Sequence, residues 1–115
     1  MKRKQALADL IAKVEAGGSD QDVLEASYGV AEMTGSIGRY VYIIGAYDGS
    51  LDAAKLLHEA VLGYDWHIDS FSLDGDVVLR RGRPIDRQYG FADMDPARAW
   101  LLAILRALHS MEPDT

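Results

Sequence analysis

The chain has 115 residues, 49% hydrophobic and 26% charged, a balance that suits one folded domain over residues 1–115 and excludes a disordered chain. It has no cysteine, which removes disulfides, thiolate metal sites and cysteine nucleophiles. Twelve Lys/Arg against eighteen Asp/Glu leave −6, the wrong sign for general affinity toward nucleic acid or an anionic membrane.

Lys2, Arg3 and Lys4 resemble the start of a signal peptide, but Asp9, Lys13 and Glu15 interrupt any apolar core behind them. No uncharged run, the Val41–Tyr47 stretch included, comes near the ~20 residues that a membrane span needs, so a cytoplasmic protein without membrane contact is expected. Leu7, Leu10, Ile11 and Val14 recur at helical spacing, and Gly17-Gly18 ends that helix. Ser19 or Asp20 caps a second helix over Gln21–Ala31 that buries Val23, Leu24 and Tyr28. Thr34–Gly38 has loop chemistry, and Arg39–Ala46, with its Tyr-Val-Tyr-Ile-Ile run, reads as a central strand.

Tyr47-Asp48-Gly49 turns the chain and Ser50 caps a helix from Leu51 to about Leu62, burying Leu51, Ala54, Leu57, Ala60 and Val61. Gly63 stops it. Tyr64–Leu73 alternates, with Tyr64, Trp66 and Ile68 on one face, and a bulge near Ser70 returns Phe71 to the buried side. Asp74-Gly75 is a hairpin turn to a strand over Asp76–Arg81. Gly82-Arg83-Pro84 turns again, and Ile85–Phe91 forms a further short strand. Asp95 and Pro96 open a helix from Pro96 to Met111, with Pro113 beyond its end. The order predicts an α+β fold, a small antiparallel sheet with a 64–73/76–81 hairpin covered by helices as an α/β sandwich.

Little here carries chemistry. His58, His67 and His109 lie on three different elements with no ligand pair, and the acids around the hairpin match no calcium loop, so no metal or cofactor is expected. Gly35-Ser36-Ile37-Gly38 falls short of the glycine-rich patterns that cradle phosphate. His67 and Asp69 share a strand face and could serve acid–base catalysis, though a solvated sheet face explains them as well. One feature stands out: Arg80, Arg81, Arg83 and Arg87 place four of the twelve basic residues within eight positions of an acidic chain. Arginine forks suit phosphate or carboxylate, and Tyr40 and Tyr42 could line the same pocket.

Ser50-Leu51-Asp52-Ala53-Ala54 opening a helix, the strand Tyr64-Asp65-Trp66-His67-Ile68, and the closing Asp95–Leu108 helix together resemble the phage ABA-sandwich family, small proteins of phages and prophages. The resemblance covers residues 50–109 and makes residues 28–48 an elaboration. It implies an α/β sandwich of phage origin and supplies no reaction or catalytic residue. The expected function is therefore a non-enzymatic phage accessory protein that binds a host protein or complex, with inhibition of a host defence system as one version. The alternative is a binder of a small anionic ligand such as a nucleotide signal. A homodimer is expected from the apolar Arg39–Ala46 segment and the wide stripe of the final helix.

Overall fold

A helical N-terminal half leads into a three-stranded meander and a closing helix. The computed structural model describes residues 3–33, 40–83 and 85–112. The expected Thr34–Gly38 loop and its glycine-rich string, Arg39, Pro84 and Pro113 lie outside them. The order is α1 (Arg3–Glu15), α2 (Asp20–Met33), α3 (Tyr40–Tyr47), α4 (Leu51–Val61), β1 (Trp66–Ser72), β2 (Asp76–Gly82), β3 (Ile85–Phe91) and α5 (Pro96–Met111). The sheet is antiparallel, ordered β1-β2-β3, so the fold is α+β as expected. No described helix is long and apolar enough to cross a membrane.

The α1 stripe buries Leu7, Leu10 and Val14, and the amide of Gly18 closes the helix on Lys13 O at 3.1 Å. Ser19 Oγ accepts from the Asp22 amide and starts α2. There the buried residues are Val23, Ser27 and Val30, while Tyr28 is exposed and meets Tyr40 edge-on at 5.0 Å.

The expected strand over Arg39–Ala46 is a correction: Tyr40–Tyr47 is a helix. Its β-branched and aromatic residues favour strands locally, but Ile43, Ala46 and Tyr47 fall at i, i+3 and i+4 and all three are buried. A Cβ at Gly45 would stand 2.8 Å from the Ala53 methyl, so this glycine lets α3 and α4 approach closely. Ser50 caps α4 by accepting from the Ala53 amide. The buried face of α4 is Ala54, Leu57 and His58, rotated from the expected one, which leaves Leu51 and Ala60 exposed.

The final helix organises the core. Asp95 accepts from the Arg98 amide, Pro96 takes the first turn, and nine residues between Ala97 and Ala107 are buried. One side of α5 packs on β2 and β3, and other parts meet α1, α3 and α4. Arg98 donates twice to Tyr47 O, at 3.1 and 3.0 Å, with its guanidinium 3.9 Å above the Tyr47 ring. The Tyr47 hydroxyl in turn donates to Gly18 O, which ties the start of α5 to the α1–α2 corner. Ile43, Ala46 and Tyr47 of α3 and the α5 stripe are used inside the chain's own core, which leaves Val41 as the exposed large aliphatic of the segment from which a homodimer was expected.

The hairpin loop is Leu73-Asp74-Gly75, one residue longer than the two-residue turn expected, with Ser72 opposite Asp76. Gly75 has φ 103° and a Cβ there would lie 1.8 Å from Ala92 O, so only glycine fits. Leu73, the last residue of the alternating run, is 71% exposed at the tip. The bulge falls between Ile68 and Ser70, next to its expected place, and Phe71 points back toward Trp100, edge-on at 5.9 Å. Trp66 is buried, and its indole N–H points at Met111 Sδ at 3.4 Å, as a position under the last helix requires.

Candidate functional site on the sheet and its edge

Residues facing each other across antiparallel strands share a face of the sheet. The register Trp66–Arg81–Asp86, Ile68–Leu79–Gln88 and Phe71–Val77–Gly90 therefore defines the helix-covered face. The opposite face carries His67–Arg80–Arg87 in one row and Ser70–Val78–Tyr89 in the next, and His67, Arg80, Arg87 and Tyr89 are all exposed. No described helix covers it.

The basic row is electrostatically unusual. Arg80 stands directly opposite Arg87, which sets their Cα atoms ~5 Å apart, and like charges so placed repel. Arg87 has relief, because its Nε lies 3.7 Å from Asp69 Oδ2 across the width of β2. Arg80 has no carboxylate partner among the described residues. Asp76, on the same strand and face, is four residues or ~13 Å away. The charge distribution sharpens the contrast: over residues 66–91 four Arg balance four Asp, so the whole −6 belongs to the rest of the chain. A small hollow of about 190 Å³ opens beside Arg80, lined also by His67, Ile68, Asp69 and Gly82.

A second concavity lies on the other side of β1, where the chain leaves α4. Gly63, at φ 62°, turns the backbone and holds Tyr64 outward, 93% exposed, although it was expected to share the buried face of Trp66. Between α4 and β1 is a cleft of about 500 Å³ with Lys55, Glu59 and Tyr64 at its rim and His58, Trp66 and Trp100 at its floor. The floor is rigidly bonded. His58 Nδ1 accepts from the Trp100 indole N–H at 3.2 Å, which leaves Nε2 to donate to Trp66 O at 3.0 Å. Both imidazole nitrogens are thus occupied, so His58 serves structure rather than proton transfer. His67 and Ile68 line this cleft as well as the hollow beside Arg80, making the two neighbours around the free edge of β1.

Of the residues expected to bind an anion, Arg80 and Arg87 come together on the open face. Arg81 points to the opposite face, where its guanidinium lies 5.2 Å from the Trp66 ring and its Nε is buried without a partner. Arg83 sits exposed in the β2–β3 turn. Tyr40 and Tyr42 belong to α3, which packs against α2, α4 and α5 and not against the basic row. His67 and Asp69, weighed as an acid–base pair, both line the hollow beside Arg80, where the Asp69 carboxylate faces Arg87. Lys55 and Tyr64 were not singled out from the sequence, and no local signal marks them. The proximity of His67 to Arg80, by contrast, follows from counting back from the hairpin turn once the bulge is placed.

No family model matches the chain, and neither a curated protein nor a solved structure is significantly similar to it.

Proposed function

We propose that this protein acts by binding rather than catalysis, and that its ligand is an anion held on the open sheet face by Arg80, with Arg87 and His67 on either side of it. The observation that supports this is the like-charged Arg80–Arg87 pair, in which Arg80 has no carboxylate partner among the described residues. Such a pair costs stability in the free protein and becomes favourable when an oxyanion bridges the two forks. The 190 Å³ hollow beside Arg80 has room for a phosphate-sized group.

The test is calorimetric titration with inorganic phosphate and pyrophosphate at low ionic strength. Arg80→Ala should abolish binding while leaving the melting temperature unchanged or slightly higher, since a repulsive neighbour is removed. Arg80→Lys should weaken binding, because an ammonium cannot reproduce the bidentate fork. Wild-type protein that takes up neither anion, or an alanine variant that binds like wild type, would refute the reading.

A protein partner is the second reading, favoured by Ile85, Tyr89 and Phe91, which are 71%, 58% and 58% exposed on the same face. The anti-defence version of that reading rests on the resemblance over residues 50–109 and on the net charge of −6 alone.

A further inference from the structure

The hollow beside Arg80 and the cleft between α4 and β1 are two halves of one surface, since His67 and Ile68 line both. Their chemistry differs in a complementary way. The hollow offers a guanidinium, an imidazole edge and the Asp69 carboxylate already engaged with Arg87, while the cleft offers an aromatic rim and floor. Its 500 Å³ falls in the usual range for small-ligand sites, ~300–1,000 Å³. Among its tyrosine and tryptophan rings Tyr64 is the accessible one, because Trp66 and Trp100 are almost wholly buried, their indole N–H groups directed to Met111 Sδ and His58 Nδ1.

We infer that the ligand is a nucleoside phosphate: its phosphate lies against Arg80 and His67, and its base lies in the cleft beside Tyr64 and Ile68. This rests on the anion reading above and extends it to the rest of the ligand. An aliphatic acid would use the cleft poorly, because Glu59 and Lys55 would stay unmatched at its rim. A base answers both, since ring N–H or amino groups donate to the Glu59 carboxylate and ring nitrogens or carbonyls accept from Lys55. Tyr64 then supplies a face for stacking, an interaction open to any base.

The experiment compares inorganic phosphate, the four nucleoside monophosphates and the corresponding nucleosides by calorimetric titration, with folding of each variant checked by circular dichroism. At least one monophosphate should bind about tenfold or more tightly than phosphate, as expected for one added stacking contact. Tyr64→Ala should reduce that monophosphate to the phosphate level and leave phosphate binding untouched. Tyr64 is almost wholly exposed, so this variant should fold normally. Arg80→Ala should abolish both. If phosphate and every monophosphate bind equally, and Tyr64→Ala changes nothing, the cleft inference is overturned while the anion site stands. If a nucleoside binds as tightly as its monophosphate and phosphate alone does not bind, the anion reading falls, and this inference falls with it.

Discussion

Sheet and helix come into close backbone approach at Gly90 of β3. A Cβ built there would stand 1.8 Å from Ala99 O and 2.7 Å from Ala103 N, both backbone atoms of α5. Ordinary contacts begin near 3.4 Å, so Gly90→Ala must drive strand and helix apart by about 1.6 Å. A side chain could rotate away from such a clash, but a helix backbone cannot. The displacement would loosen Leu101, Ile104 and Leu105, each fully buried from α5. Overpacking of cores typically costs ~1–3 kcal/mol, and a clash with rigid backbone belongs at or above the upper end. For a chain of this length ~3 kcal/mol corresponds to a fall of ~12 °C in Tm. Gly29→Ala is the control. Nothing lies within 4 Å of a Cβ there, and in mid-helix the change should add ~0.5–1 kcal/mol. Urea denaturation of the two variants reads out the difference. A Gly90→Ala protein within 1 kcal/mol of wild type would show that α5 does not rest on the sheet backbone, and the packing of the core would need to be redrawn.

Trp66→Ala removes the largest fully buried side chain and should cost ~3–5 kcal/mol in the same assay; an unchanged melting temperature would contradict its place under α5. Asp48 tests a pH effect. Desolvation and the neighbouring Asp20 carboxylate push its pKa above the usual aspartate value of 3.8, against the pull of Arg98. The folded state therefore holds the Asp48 proton more tightly than the unfolded state, and the resulting penalty develops as pH rises above 3.8. Asp48→Asn should stabilise the protein at pH 7 and lose that advantage at pH 3; equal gains at both pH values would refute the argument.

Legibility from sequence followed the locality of each signal. The span Pro96–Met111 and its Asp95 cap, the strand Ile85–Phe91 and the bulge beside Ser70 were all readable, because capping chemistry, alternation and turn residues act over a few positions. The Tyr40–Tyr47 helix was not. Its residues favour a strand by themselves, and what makes them helical is a neighbour, α4, brought close at Gly45. Tyr40 and Tyr42, expected to line the anion pocket, lie on this helix instead. Arg80 and Arg81 show the opposite case. Successive strand residues alternate faces, so the strand already assigned to Asp76–Arg81 ruled out a site containing both. The cleft was beyond reach, since Lys55 and Tyr64 meet Trp100 only after α4, β1 and α5 have packed.

Asp69 separates the two roles that the basic row can have. Among the described residues it is the one carboxylate paired with the row, 3.7 Å from Arg87, and both side chains are nearly half exposed. If the arginines are merely a solvated face, Asp69 is a minor counter-ion, and Asp69→Asn should cost ~0–1 kcal/mol with no further consequence. If the row receives an anion, Asp69 competes with that anion for Arg87. Removing it then leaves two uncompensated guanidinium groups side by side. Asp69→Asn should bind phosphate more tightly than wild type, while melting slightly earlier at low ionic strength. The Debye length shrinks from ~30 Å at 0.01 M salt to ~3 Å at 1 M, so both differences should fade in high salt. Tighter binding with lower stability is the signature of a charge retained to balance a binding site. Weaker phosphate binding in Asp69→Asn would mean instead that the carboxylate orients Arg87 for the ligand, and the competition argument would be wrong.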